Sequence, residues 1–194
     1  MSFGFGYIGR VISASVLRQA ARFHGHLGPW LVLGLQAGAY ARRKLAVSPF
    51  ELNARVFCPA GTPYTCFVDG IQFSSGCTMG KGNISHHRTT GCRVEFTRKG
   101  SRSRVRLAVR PEVWEELHSR PGKGMAGAAR LGREFARRRL AKLFIEQSGP
   151  AENRGQSLGA PASNVPGAPW ERAARYSPRF PRSRPTAAAP CASN

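Results

Sequence analysis

The residues of this chain best equipped for chemistry are concentrated in its first half. His24-Gly25-His26-Leu27-Gly28-Pro29 offers two imidazoles, and Cys66-Phe67-Val68-Asp69-Gly70-Ile71-Gln72 adds a thiol and a carboxylate. Gly76-Cys77-Thr78-Met79-Gly80-Lys81-Gly82-Asn83 follows with a second thiol, an ammonium and a carboxamide. Thiolate and neutral imidazole are the donors that zinc prefers. His24, His26, Cys66 and Cys77 therefore make a soft, tetrahedral zinc-type set, with one zinc or other transition-metal ion as the expected cofactor. Asp69 is suited to orient an imidazole or a lysine from behind the ligands. Lys81 and Asn83 add donors for an anion or carboxylate, and a neighbouring ammonium such as Lys81 lowers the pKa of a thiol such as Cys77. The run is not a phosphate-binding P-loop, because its glycine and lysine spacing does not match. Structural readings compete with these: histidines that cap the following helix, and cysteines that fill the core as small hydrophobes.

The elements around these groups favour the site. Ser13 or Ser15 can cap a short helix through Val16, Leu17, Ala20 and Ala21 that delivers the chain to His24. Pro29 suits the first turn of a second helix, with Leu31, Leu35, Ala39 and Leu45 at helical spacing. The two histidines then lie in a loop, where both rings can turn to one side; within a regular helix they would diverge by about 200°. Residues 54–57 read as a strand, and residues 65–73 as a helix with Cys66 and Asp69 on one face. Val94 and Phe96, then Val105, Leu107 and Val109, alternate with polar residues about a Lys99-Gly100-Ser101 turn, which predicts a hairpin. Pro111 starts a helix through Trp114 and Leu117. Residues 125–147 read as one long basic helix whose apolar set is Leu131, Phe135, Leu140 and Phe144.

The three motif segments resemble the FmdE domain family of formylmethanofuran dehydrogenase, whose members read roughly His-Gly-His-Leu-Cys-Pro-Gly, then Val-Asp-Ala-Ile-Gln, then Thr-Gly-Cys-Thr-Xaa-Gly-Lys-Gly-Asn. The resemblance runs from about Leu17 to about Pro111. It implies an α+β fold of helices packed on a small mixed β-sheet, a homodimer, and a metal-binding or thiol-bearing accessory role rather than the redox centre of an enzyme. A molybdenum or tungsten oxidoreductase of one-carbon metabolism is the partner that the family name suggests. Two positions depart from the pattern: Gly28 stands where the family has cysteine, and Trp30 where it has glycine. One thiol of the expected site is thus missing. A catalytic or exchangeable site with an open position, a closed site, and a degenerate module for ligand binding or assembly without metal are the alternatives left by that loss.

Composition bounds the remainder. The 194 residues and 41% hydrophobic content suit one domain with a tail. Residues 1–148 are expected to form the FmdE-like domain, and residues 149–194, rich in Pro, Ala, Ser and Arg, a disordered tail. The net charge of +20 makes nucleic acid an alternative partner, through the arginines of residues 130–139 and the basic hairpin of residues 98–106. Arginine outnumbers lysine 25 to 5, a bias that a GC-rich coding sequence also produces. Residues 27–41, the longest apolar stretch, are interrupted by Gln36, which argues against a membrane span. Five irregularly spaced cysteines fit a reducing compartment better than a disulfide framework, so a cytoplasmic location is expected.

Overall fold

The computed structural model of this protein describes residues 12–120, 122 and 124–147. The expected tail and Cys191 lie outside the described residues. Among those described, six helices pack with a five-stranded mixed sheet, an α+β architecture in strand order β2-β1-β3-β4-β5.

Helix α1, Ala14–His24, begins where Ser13 accepts a hydrogen bond from the Val16 N–H at 3.2 Å, and ends at Gly25, whose φ of 94° is the left-handed conformation glycine tolerates best. Helix α2, Pro29–Leu45, has Pro29 in its first turn. From Trp30 to Ala39 every residue is buried, so α2 is the central helix of the molecule and its apolar stretch serves the core. No helix among the described residues is long and apolar enough to cross a membrane. Helix α3, Cys66–Ser75, lies in main-chain contact with α2. A Cβ at Gly34 would fall 2.2 Å from the Phe67 carbonyl oxygen, and one at Gly70 would fall 2.1 Å from that of Leu31. Only glycine permits so close an approach. Gly38 meets Ser74 and Ser75 one turn further on, so the two helices run parallel.

The sheet comprises β1 Leu52–Cys58, β2 Ile84–Arg88, β3 Arg93–Arg98, β4 Arg104–Val109 and β5 Phe144–Gln147. β1 pairs parallel with β2 and antiparallel with β3, and β3–β4 is the expected hairpin, turning through Gly100. Alternation sends Ala54, Val56, Val94, Phe96, Val105 and Leu107 into the core. Glu95, on the opposite face, pairs with Arg106 at 2.6 Å and Arg104 at 3.9 Å. Helix α4, Pro111–Ser119, follows β4 directly.

The expected long helix over residues 125–147 is not formed. Helix α5, Gly124–Ala136, stops early; a four-residue helix α6, Leu140–Leu143, and strand β5 take the rest. Two tertiary contacts override the helical period. The buried Gln36 side chain donates to the Phe135 carbonyl at 2.9 Å and the Arg138 carbonyl at 3.5 Å, closing the end of α5. The edge of β4 then takes β5 through the pairs Val109–Phe144 and Ala108–Ile145. Arg138 is meanwhile clamped by both carboxylate oxygens of Glu116 and by Glu134.

Candidate metal centre

His24 is the last residue of α1, and the left-handed turn at Gly25 redirects the chain so that His26 comes back beside it, ring centroids 4.5 Å apart. Cys66 opens α3 and brings its thiol to the same place. One ligand atom from each of His24, His26 and Cys66 lies within 4.8 Å of the others, a separation at which a single ion can be shared. Because α2 and α3 touch through their backbones and run parallel, the loop before one helix and the first residue of the other are held side by side.

The protonation pattern suits ligation. His24 Nδ1 lies 2.7 Å from Asp69 Oδ2. An ionised carboxylate only accepts, so Nδ1 carries the proton and Nε2 keeps its lone pair. That Nε2 is buried and has no hydrogen-bond partner among the described residues. A buried orphan acceptor is costly in a folded protein unless something binds it. Asp69 is itself fixed: its Oδ1 accepts from Gln72 Nε2 at 3.1 Å, and Gln72 Oε1 accepts from the Met79 N–H at 3.1 Å. The glycine-rich segment thus holds the histidine through Gln72 and Asp69. Burial, the largest cause, lowers the pKa of His26 and favours its neutral, ligating form. Burial and then the Asp69 charge push the Cys66 thiol up, so an ion must displace a proton from it.

Gly28 is part of this group. A Cβ built there would stand 3.4 Å from His26 Nε2, an ordinary contact, and the backbone is extended with φ of −148°. The Cβ of a cysteine at this position would fit without backbone strain, in contact with the His26 ring. Glycine leaves that direction open.

The other candidates named from the sequence are placed elsewhere. Cys77 is fully buried with its thiol donating to the Leu52 carbonyl at 3.4 Å, and burial raises its pKa despite Lys81. The Lys81 ammonium binds the Gly76 carbonyl and lies over the Phe50 ring. Asn83 is buried, accepting from the Thr78 N–H and donating to the carbonyls of Pro49 and Leu52. These three side chains tie the glycine-rich segment to the start of β1. The signal for that role was present in the motif itself: a segment with this many glycines needs side chains to hold it. Gln72, to which residue type and spacing assign no role, is the link that only the fold reveals.

Comparison with known proteins places the chain in a family. The family described as "FmdE, Molybdenum formylmethanofuran dehydrogenase operon" matches residues 23–148. A protein of Archaeoglobus fulgidus named "Probable S-adenosyl-L-methionine-binding protein" is 26% identical over 143 residues. The alignment covers 69% of this chain and 38% of that protein, so the chain spans well under half the length of that relative.

Proposed function

This chain belongs to the FmdE family, and on that premise we propose that it is an accessory domain holding one transition-metal ion, zinc by its donor set, on His24, His26 and Cys66. The observation that carries this reading is the buried, unpaired Nε2 of His24, set in its tautomer by Asp69. Two imidazoles and a thiol fit zinc. When bound, the ion would supply Lewis acidity, held by the three donors grouped among the described residues. A cysteine at position 28 would add a further donor beside His26.

The roles of the surrounding residues follow. Asp69 keeps the proton of His24 on Nδ1, and Gln72 keeps Asp69 oriented. His26 stays neutral to lower pH than a free histidine. The direct test is elemental analysis of the full chain purified anaerobically, beside the Cys66→Ser and His24→Ala variants. About one transition metal per chain, absent from both variants, is the expected result. A chain that neither carries metal nor retains added zinc through dialysis would overturn the reading.

A further inference from the structure

A second histidine–cysteine group lies on the sheet, made by residues outside the three motif segments. The β1–β3 ladder ends on the pair Phe57 with Arg93, so the next step along the antiparallel register sets Cys58 opposite Cys92. The backbone directions define the kind of pair. The Cys58 carbonyl accepts from the Thr89 N–H on the β2 side, and the Cys92 carbonyl accepts from the Val109 N–H on the β4 side. Neither residue points its backbone groups at the other, which is the non-hydrogen-bonded pair of an antiparallel ladder. There the Cα atoms are about 4.5 Å apart and the side chains come closest. That separation falls within the range a disulfide spans, roughly 4.4–6.8 Å.

The two thiols also interact. With Cys58 ionised, the Cys92 thiol opposite it would be the donor that draws the Cys58 pKa down. On the other side His86, an exposed residue of the edge strand β2, has Nε2 3.2 Å from Cys58 Sγ and 3.1 Å from the Cys58 carbonyl oxygen. A carbonyl only accepts, so Nε2 carries a hydrogen there and is directed at Cys58. Cys58 sulfur thus sits between two donors. Cys58 is fully buried and Cys92 nearly so, and a cleft at the end of the sheet is lined by Cys92, Thr90, Gly91, Pro111 and Trp114 but not by Cys58, so it reaches the pair on its Cys92 side.

We propose that Cys58 and Cys92 form a reversible dithiol–disulfide couple oxidised by small hydroperoxides, with Cys58 as the attacking sulfur, Cys92 as the resolving one and His86 as the residue that positions and stabilises the Cys58 thiolate. In the first step the Cys58 thiolate attacks the terminal peroxide oxygen. The S–O bond forms as the O–O bond breaks, leaving a sulfenic acid and an alkoxide or hydroxide that takes a proton from water. The Cys92 thiol then gives up its proton, and its sulfur attacks Cys58 sulfur. The S–S bond forms, the S–O bond breaks, and hydroxide leaves to become water. Two thiols and one hydroperoxide yield one disulfide, one alcohol and one water, and a small thiol reverses the change by exchange. The Cys58 pKa is lowered, chiefly by the Cys92 hydrogen bond and then by His86, whereas burial raises those of Cys66 and Cys77.

The test uses the full chain carrying Cys191→Ser, treated with hydrogen peroxide, alkylated and mapped by mass spectrometry. A Cys58–Cys92 disulfide is expected before any change at Cys66 or Cys77, and dithiothreitol should reverse it. In Cys92→Ser, dimedone should trap a sulfenic acid at Cys58. His86→Ala should slow disulfide formation by about tenfold, the scale of one charge-assisted hydrogen bond, and His86→Gln, which keeps an N–H donor, should restore most of the rate. Far-UV circular dichroism keeps the variants comparable. Oxidation at Cys66 or Cys77 first, or a Cys58–Cys92 disulfide that forms only in urea, would overturn the proposal.

Discussion

In the helical layer, His24 keeps Nε2 buried and unpaired while burial pushes the neighbouring Cys66 thiol up. On the sheet, His86 directs the hydrogen on its Nε2 at Cys58, whose thiol is drawn down. The side chains are the same in kind, and the difference lies in what else each imidazole meets. Asp69 accepts from His24 Nδ1, which leaves Nε2 as a lone pair. The Cys58 carbonyl accepts from His86 Nε2, which makes that nitrogen a donor. One second partner leaves the ring nitrogen an acceptor, and the other makes it a donor.

If this division is real, substitutions should separate the two groups. The largest effect is expected from Cys66→Ser, which should reduce bound metal from about one per chain to near none while Cys58→Ser and Cys92→Ser leave it unchanged; loss of metal from all three variants in elemental analysis would erase the distinction. Asp69→Asn should weaken zinc binding by about 10–100-fold, the usual cost of removing a carboxylate behind a ligating histidine, as read by competition with a chromophoric chelator. Gly28→Cys should act in the opposite direction and tighten zinc by roughly tenfold, ~1.4 kcal/mol. With cobalt in place of zinc it should also add sulfur-to-metal charge-transfer absorption. An unchanged spectrum would mean that the open direction at Gly28 does not face the ion.

The thiols themselves give a finer test. A lowered pKa leaves Cys58 ionised at pH values below its ordinary range near 9, whereas raised values confine the Cys66 and Cys77 thiolates to pH above that range. In metal-free protein, the pH midpoint of iodoacetamide labelling should therefore be lowest at Cys58, provided labelling is followed residue by residue. The smallest effect concerns what both groups share. Glu116 of α4 and Arg138 beyond α5 form a partly buried clamp, and the Arg138 hydrogen bond holds the Glu116 carboxyl below its usual value of 4.5. Stability from a lowered carboxyl is present above its unfolded pKa and lost as pH falls through its folded value. Glu116→Gln should cost about 1 kcal/mol at neutral pH and nearly nothing well below pH 4, measured by urea denaturation, with both groups keeping their relative behaviour.

How much of this was legible in the sequence depended on how local the determinant was. Ser13, Pro29 and Pro111 marked helix starts because capping and the missing proline N–H act within one turn. The alternation around Gly100 marked the hairpin for the same reason. His24, His26, Cys66 and Asp69 were named from their types and spacing, and the fold assembles them. Cys77 had the right chemistry in the right motif, yet its thiol turns toward Leu52, a direction that no local pattern encodes. β5 was concealed in an apparent helical period because its pairing partner lies some forty residues earlier on β4. The Cys58–Cys92 pair was concealed more completely. It depends on strand register, and β2, which supplies His86, carries only five residues with a single buried position.

The main-chain contact between α2 and α3 has a consequence for how this site can change over time. Where packed side chains set a spacing, drift in side-chain size alters it; at Gly34 and Gly70 the spacing is set by carbonyl oxygens and α-carbons, which mutation does not resize. The scaffold behaves as a gauge of fixed opening into which different donors can be exchanged. A lineage can therefore trade a cysteine for a glycine at position 28, and trade it back, altering the coordination chemistry on offer without first having to rebuild the frame that presents it.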